Sequence, residues 1–514
     1  MKKRYCHFIL VIGFISCLLW CVGLPLWAQD GLKSPTDPLT NKTPEGTALD
    51  KTSITQHSIV LTGKTLHYTA TAGFMPLKDE SGKLEASVFF ISYVKQNSAG
   101  EPNRPVTFAF NGGPGAATMW LHMGGIGPKR VMIDGGGTIM PNKNQIIDNE
   151  FTWLDHTDLV FVDPIGTGFS RAAPGVDTKK YYEVQEDIRT ASRFIRLYMT
   201  ENERWPSQIY ILGESYGTTR AVGVIDKLQS EFGIYPHGVI LISSVLDFQM
   251  IWPSLGNDLP YVLSLPSCTA TAWYHKQLSS NLQADMQKTL NEVETWAMNE
   301  YLAALAKGDN LTKEEESRIA DKLVEYTSLS KIYILNNRLR ISTGKFAREL
   351  IRDKGQFLGY MDGRVIGMAT SKASESEPFD PSFSLTIVPY LATLNDYIRR
   401  DLKFSTSLTY EYLSSEVHGA WKWSADGRYL TVSESLRRSL AANNHLKVIN
   451  ISGFYDLTTP YYGQQYTFNH LGLNESLREN VTFVTYPAGH QIYTSVDVLK
   501  MLKMRVSEFL TRGK

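Results

Sequence analysis

The chain has 514 residues, of which 43% are hydrophobic, 11% aromatic and 20% charged. This composition is typical of a globular protein and excludes a disordered or low-complexity chain. Lys and Arg together number 52, as do Asp and Glu, so no net field draws the protein toward nucleic acid, and we expect no nucleic-acid partner.

The N-terminal residues 1–28 have the layout of a secretory signal peptide, with basic residues at 2–4, a long apolar run and a cleavage site after Ala28. We therefore expect export to the periplasm or beyond the cell, without stable membrane insertion after cleavage. An uncleaved anchor is the alternative, because the apolar run is long. Residues 29–55 are polar and aperiodic, which predicts a flexible leader. Of the four cysteines only Cys268 follows the signal, so no internal disulfide is expected.

Short apolar runs after the leader predict strands. The first three, between residues 56 and 95, are HSIVL, KTLHYTATAG and ASVFFISYV. Later runs alternate with helical patterns: PVTFAF, DLVFVD, QIYILG, GVILIS, LKVINIS and VTFVTY. Continuous apolar runs of this length are typical of strands buried on both faces. We therefore predict an α/β protein with a mostly parallel central sheet flanked by helices.

Strand signals fade between residues 251 and 430, and helical patterns replace them. One of these patterns, LTKEEESRIADKLVEYTSL, begins with a capping-box pair at Thr312 and Glu315. Because sheet-type runs resume afterwards, we predict a mainly helical cap inserted into one α/β domain, whose two parts are residues 56–250 and 431–514. A second, independent domain is the alternative.

Gly213-Glu214-Ser215-Tyr216-Gly217 matches the G-x-S-x-G nucleophile elbow, which places a serine on a sharp turn between a strand and a helix. The apolar run QIYIL precedes it. The segment that follows has apolar residues at helical spacing: Ala221, Val224, Ile225 and Leu228. This context predicts that Ser215 is a catalytic nucleophile.

A serine hydroxyl needs a base to take its proton and an acid to orient that base. On this type of scaffold they follow the serine in the order acid, then histidine, each after a strand. Asp456 in GFYDLTTP and His490 in PAGHQIY fit these places. His470 is the alternative base, and Asp247, which follows VILISS, is the alternative acid.

A glycine-rich turn, Asn111-Gly112-Gly113-Pro114-Gly115, follows the strand run TFAF. Consecutive glycines let the backbone approach a substrate closely and adopt positive φ. An acyl-transfer site requires backbone N–H groups aimed at the developing oxyanion. We therefore predict that the N–H groups of Gly113 and Tyr216 form the oxyanion hole.

Taken in order, NGGPG, DPIGTGFS, GESYGT, SGFYD and AGH resemble the serine carboxypeptidase family, peptidase family S10, and most of all its bacterial members. The resemblance covers most of the chain after the leader. It implies an α/β-hydrolase fold with a helical cap and a Ser215–Asp456–His490 triad. It also implies release of C-terminal amino acids from peptide substrates that have a free C-terminus, through an acyl-enzyme on Ser215.

The resemblance further implies that Glu214, Asn111 and the Gly112 N–H hold the substrate's terminal carboxylate. Glu214 can donate a hydrogen bond to a carboxylate only when it is protonated, which predicts a preference for acidic pH. The family's second glutamate is replaced here by Gly125. An esterase or acyltransferase on the same triad is therefore one alternative, and a catalytically silent cell-envelope binding protein is another. No motif predicts a metal or another cofactor.

Overall fold

The computed structural model describes residues 51–96, 104–132, 146–423 and 427–511. The predicted signal peptide and most of the predicted leader lie outside these residues. Strand β1 (Thr52–Leu61) contains the last four residues of the segment predicted as leader, 29–55. It pairs antiparallel with β2 (Lys64–Lys78) from Thr52, which lies opposite Gly73. A Cβ on Gly73 would lie 2.7 Å from Thr52 Oγ1, so this glycine makes room for the strand to start there.

The predicted runs HSIVL and KTLHYTATAG lie in β1 and β2, and each later predicted run overlaps one of the remaining strands of the described chain. These remaining strands are β3 (Leu84–Lys95), β4 (Val106–Phe110), β5 (Lys129–Val131), β6 (Ile146–Asp148), β7 (Asp158–Val162), β8 (Arg171–Ala172), β9 (Ile209–Glu214), β10 (Gly238–Ile242), β11 (Gln356–Leu358), β12 (Ile366–Met368), β13 (Lys447–Gly453) and β14 (Val481–Tyr486).

The central sheet has the order β1-β2-β3-β7-β4-β9-β10-β13-β14, and β8 pairs with β3 at one side. From β7 to β14 every neighbouring pair in this order is parallel, whereas β1, β2, β3 and β8 pair antiparallel. Every residue of β4, β7, β9 and β10 is buried. The prediction of a mostly parallel sheet buried on both faces is therefore confirmed.

The α-helices of the described residues are α1 (Met119–Leu121), α2 (Val184–Glu201), α3 (Tyr216–Phe232), α4 (Leu259–Tyr274), α5 (Ser280–Gln283), α6 (Met286–Trp296), α7 (Leu302–Ala306), α8 (Lys313–Thr327), α9 (Lys331–Asn336), α10 (Thr343–Glu349), α11 (Pro381–Arg400), α12 (Ser415–Ala420), α13 (Ser433–Ala442), α14 (Tyr461–Asn469), α15 (Glu475–Arg478) and α16 (Val496–Thr511). None of them is both long enough and apolar enough to cross a membrane.

Helices cover both faces of the sheet. Ile211 of β9 packs in one apolar cluster with side chains of α2 and α3, and the adjacent Leu212 packs in a second cluster with side chains of α16. A Cβ on Gly223 of α3 would overlap the side chain of Ile188 of α2, so this glycine lets the two helices approach closely. The arrangement is the α/β-hydrolase fold.

Between β10 and β13, which are neighbours in the sheet, the described chain is mainly helical and includes one small ladder, β11–β12. Helix α8 begins with the predicted capping box: the Glu315 N–H donates to Thr312 Oγ1, and the Thr312 N–H donates to the Glu315 carboxylate. The segment has its own apolar cluster, which includes Val262, Trp296 and Leu323. The division at residues 250 and 430 remains a prediction.

Candidate active site

Ser215 lies between β9 and α3 with φ 58° and ψ −131°, a backbone conformation that L-residues rarely adopt. A Cβ on Gly213 would overlap the carbonyl of Gly217, and a Cβ on Gly217 would overlap the carbonyl of Phe110. Both glycines of the G-x-S-x-G pattern are therefore required by close backbone packing. The local geometry is that of a nucleophile elbow.

The Asp456 carboxylate follows β13, is completely buried and accepts four hydrogen bonds. Its Oδ1 accepts from the N–H groups of Thr458 at 2.8 Å and Thr459 at 2.9 Å. Its Oδ2 accepts from Thr459 Oγ1 at 2.7 Å and from His490 Nδ1 at 2.8 Å. Burial alone would raise the pKa of Asp456, but the charge of His490 and these hydrogen bonds outweigh burial and lower it. Asp456 is therefore an ionised carboxylate paired with the imidazole.

The His490 ring follows β14 and is also buried. Burial acts to lower its pKa, but the charge of Asp456 and the hydrogen bond with it raise the pKa above the usual value. The loop backbone is held on two sides: the His490 N–H donates to the Met361 carbonyl at 2.6 Å, and the His490 carbonyl accepts from Ser243 Oγ at 2.7 Å. With Nδ1 directed to Asp456, Nε2 is the nitrogen left for proton transfer.

Ser215 and His490 are anchored to consecutive residues at the end of β10. The Ser215 N–H donates to the Ile242 carbonyl at 3.0 Å, and the next residue, Ser243, holds the His490 carbonyl. Among the described residues the Ser215 hydroxyl has no hydrogen-bond partner, His490 included. Catalytic hydrogen bonds are often long until substrate binds. The structure thus joins Asp456 to His490 directly and brings Ser215 to the same edge of the sheet.

The two alternative triad residues are engaged elsewhere. His470 is exposed, stacks on the Tyr466 ring with centroids 3.9 Å apart and hydrogen-bonds to the Tyr466 carbonyl through Nδ1. Asp247 accepts a hydrogen bond from the Gln249 N–H at 2.9 Å and so caps a short helical turn. Neither side chain hydrogen-bonds to Asp456 or His490.

The glycine turn after β4 packs against the elbow. A Cβ on Gly112 would lie 2.5 Å from the Tyr216 nitrogen, so only a glycine lets the turn come this close. Gly113 has φ +99°, in the region that favours glycine, and it is exposed. Tyr216 is the first residue of α3, where an N–H has no partner within the helix. The two predicted oxyanion donors therefore belong to backbone segments in direct contact.

Glu214 is buried beside the serine, with only 3% of its surface exposed. Its Oε2 accepts a hydrogen bond from the Tyr493 hydroxyl at 2.6 Å. Burial raises the pKa of Glu214 to about 7, although the charge of His490 and the hydrogen bonds from Tyr493 and Asn111 oppose this rise. Asn111 Oδ1 accepts from the Leu121 N–H at 3.0 Å, which leaves the Asn111 amide to face Glu214. The three predicted carboxylate-binding groups thus lie together beside Ser215.

A buried ion pair fixes the glycine turn to α3. Arg220 Nη1 donates to the Asn111 carbonyl at 2.6 Å, and Arg220 Nε donates to the Asp187 carboxylate at 2.9 Å. The Tyr216 hydroxyl donates to the same carboxylate at 3.1 Å. Sequence reasoning missed Arg220 and Asp187. The available signal was a charged residue at each of two positions that face the core: Asp187 on α2 and Arg220 on α3.

Two further residues that contact the predicted groups were missed. Thr459 lies three positions after Asp456, and Tyr493 lies three positions after His490, both in short turns that follow a strand. The only sequence signal for Thr459 and Tyr493 was a hydroxyl-bearing side chain three positions after the predicted acid or base. Among the described residues no group of three or more His, Cys, Asp or Glu side chains is placed to hold a metal ion.

The parallel sheet, the strained elbow serine and the buried Asp–His pair define the chain as an α/β-hydrolase with a candidate serine nucleophile. A sequence profile of the serine carboxypeptidase family, Peptidase_S10, matches residues 62–507. The protein therefore belongs to the serine carboxypeptidase family S10.

Individual relatives match parts of the chain. Serine-type carboxypeptidase F from Aspergillus niger is 29% identical over 147 residues, which cover 28% of this chain and 24% of the relative. Pheromone-processing carboxypeptidase KEX1 from Komagataella phaffii is 25% identical over 339 residues, which cover 64% of this chain and 46% of the relative. Each match thus spans less than half of the relative's length.

The solved structures that share the fold across most of the molecule include a carboxypeptidase. It is Kex1(delta)p, a prohormone-processing carboxypeptidase from Saccharomyces cerevisiae, with a TM-score of 0.55 and 17% sequence identity. The superposition covers 86% of this chain and 91% of the other. At this identity the likeness concerns the fold.

Proposed function

We propose that the protein is a serine carboxypeptidase that releases C-terminal amino acids from peptides. The observation that carries this proposal is the buried Glu214 directly before Ser215, with its pKa raised to about 7 by burial. A neutral carboxylic acid at that place donates a hydrogen bond to a substrate carboxylate, which an ionised one would repel. Membership of the serine carboxypeptidase family supports the same activity.

In the proposed reaction His490 Nε2 accepts the Ser215 proton while Ser215 Oγ attacks the scissile carbonyl. The N–H groups of Gly113 and Tyr216 stabilise the oxyanion that forms. His490 then protonates the nitrogen of the leaving amino acid, and water hydrolyses the acyl-enzyme by the same route. Asp456 keeps the proton on Nδ1 and stabilises the imidazolium, as its 2.8 Å hydrogen bond supports.

Glu214, Asn111 and the Gly112 N–H bind the terminal carboxylate in this proposal. The carboxylate is then held one residue from the nucleophile, so the bond in reach of Ser215 is the last peptide bond. The predicted cap, residues 251–430, closes over this side of the molecule. The hydrogen bond from the His490 N–H to the Met361 carbonyl supports that placement.

The proposal predicts a pH profile with a definite sign. Glu214 is protonated below about pH 7, so the rate on substrates with a free carboxylate falls as the pH rises through that value. His490 must be neutral to act as a base, so the rate also falls when the pH drops below its raised pKa. Glu214 and His490 interact electrostatically. The acidic and alkaline limbs of the pH profile therefore report apparent pKa values of the pair and not of either residue alone. An ester without a terminal carboxylate keeps its rate at high pH.

The activity test compares an N-blocked dipeptide with its C-terminal amide, using the wild type and the Ser215→Ala variant. We expect faster cleavage of the free acid, a loss of about 10⁴-fold or more in the variant, and fluorophosphonate labelling of the wild type alone. Near-normal rates in Ser215→Ala would contradict the nucleophile assignment.

The alternatives give different results in the same experiment. The esterase or acyltransferase is favoured by Gly125, which stands where the family has a second acid, and it predicts equal rates for acid and amide. A catalytically silent binding protein predicts no labelling. We also infer export through residues 1–28, on their signal-like pattern; N-terminal sequencing of the protein secreted by a host cell tests this.

A further inference from the structure

Tyr493 is a buried tyrosine that the proposed mechanism leaves without a role. It lies in the turn Ile492–Thr494, three residues after His490, with 2% of its surface exposed. Its hydroxyl donates to Glu214 Oε2 at 2.6 Å, and its side chain also interacts with the Asn111 amide. Tyr493 thus contacts two of the side chains proposed to hold the substrate carboxylate.

The packing around Tyr493 leaves little space for a side chain at positions 124 and 125. A Cβ on Gly124 would overlap the Tyr493 ring, and a Cβ on Gly125 would overlap the side chain of Leu499. The space beside the turn His122–Ile126 is therefore filled from the C-terminal part of the chain. A glutamate at position 125 does not fit this packing, and the glycines are what allow the tyrosine ring to reach Glu214.

We propose that Tyr493 replaces the missing second acid as a positioning residue for the substrate carboxylate, acting through Glu214. The Tyr493 hydroxyl holds Glu214 Oε2, so the proton of Glu214 lies on Oε1 and is donated to the terminal carboxylate of the peptide. This inference rests on the proposed carboxypeptidase function and deepens it. It assigns recognition of the free C-terminus to a Tyr–Glu pair.

The charges around Glu214 determine the sign of the expected effect. Burial and Asp456 raise the pKa of Glu214, while His490 and the hydrogen bonds from Tyr493 and Asn111 lower it; the neutral Tyr390 also lies near. The pKa of Tyr493 is raised well above its usual value, chiefly by burial and by Glu214, so its hydroxyl stays a donor. Loss of that hydroxyl therefore raises the pKa of Glu214.

The test uses the full chain and compares Tyr493→Phe with the wild type on an N-blocked dipeptide and on its C-terminal amide, across pH. For the free acid we expect KM to rise roughly tenfold and kcat to change less. The alkaline limb of the pH profile, where the rate falls as Glu214 ionises, should move to higher pH. Rates on the amide stay unchanged. A merely structural role would lower the rates on both substrates together and leave the limb in place.

A matched control is available in a second Tyr–Glu pair, in which the tyrosine is buried and the glutamate half-buried. Tyr461 donates to Glu294 Oε1, also at 2.6 Å, with 2% of its surface exposed. Tyr461→Phe removes the same kind of hydrogen bond without touching Glu214. We expect it to leave the alkaline limb and the ratio of acid to amide rates as in the wild type. A shift equal to that of Tyr493→Phe would overturn the inference.

A second substitution keeps the test independent of folding. Replacing Tyr493 by 3-fluorotyrosine preserves its shape and makes the hydroxyl a stronger donor, so the alkaline limb should move to lower pH, opposite to Tyr493→Phe. If the alkaline limb of the 3-fluorotyrosine variant lies at the same pH as in the wild type, the inference is overturned. If the wild type itself cleaves acid and amide equally, the carboxypeptidase proposal fails and this inference fails with it. If the wild type prefers the acid and the Tyr493 variants behave like it, only the inference fails.

Discussion

The loop after β13 and the last residue of β9 each contribute one buried carboxyl group, and the two groups differ in their hydrogen-bond partners and in their pKa. Asp456 accepts four hydrogen bonds and pairs with His490 at 2.8 Å, and its pKa is lowered. Glu214 has fewer donors, a tyrosine hydroxyl and an amide, and burial raises its pKa to about 7. At similar burial, the number and charge of the hydrogen-bond donors decide which acid is ionised.

The difference matches the two roles proposed for these acids. An acid that orients a histidine must carry a charge to stabilise the imidazolium. An acid that recognises a carboxylate must be neutral to donate a hydrogen bond. Substitutions that exchange or weaken these properties one at a time therefore test the two roles.

The largest effect is expected from Asp456→Asn, which removes the charge from the ionised member of the comparison. The amide holds the wrong tautomer of His490, so we expect kcat to fall about 10⁴-fold at every pH. Asp247→Asn is the matched control, because Asp247 is the other candidate acid and its carboxylate bonds to the Gln249 N–H and the Thr431 side chain, away from His490. Steady-state kinetics on one dipeptide decide between them, and a larger loss in the Asp247 variant would reverse the assignment.

A smaller, pH-dependent effect is expected from Glu214→Gln, because a glutamine at this position stays neutral at every pH, whereas Glu214 ionises above about pH 7. The glutamine amide still donates to a carboxylate and its oxygen still accepts from Tyr493. At pH 5 we therefore expect kcat/KM within about tenfold of the wild type. Above pH 7 the alkaline limb should disappear. An alkaline limb that persists in the variant would show that another group controls it.

The smallest effect is expected from Thr459→Val, which removes one of the four donors to Asp456. Loss of the 2.7 Å hydrogen bond to Oδ2 raises the pKa of Asp456 and loosens the His490 ring, so we expect kcat to fall roughly tenfold. In Thr458→Val the lost hydroxyl bonds to the Tyr360 carbonyl, while the N–H to Asp456 remains. Equal losses in the two variants would mean that this donor does not tune the acid.

Much of the fold was predictable because the decisive signals are local. The apolar runs identified β4, β7, β9 and β10, which are buried on both faces. The G-x-S-x-G pattern identified the strained turn at Ser215, since only glycines tolerate the backbone contacts on either side. The start of β1 was missed because its pairing partner, not its own polar composition, brings Thr52 into the sheet.

The scaffold and the candidate nucleophile, acid and base were predictable from the amino-acid sequence, because strand patterns, glycines and chain order are properties of short segments. Which carboxyl group is ionised follows from the tertiary packing, as does the lack of space for a side chain at position 125. The ionisation of Glu214 depends on burial and on donors such as Tyr493, 279 residues away along the chain. Such contacts arise only when distant segments pack together, and no local pattern encodes them.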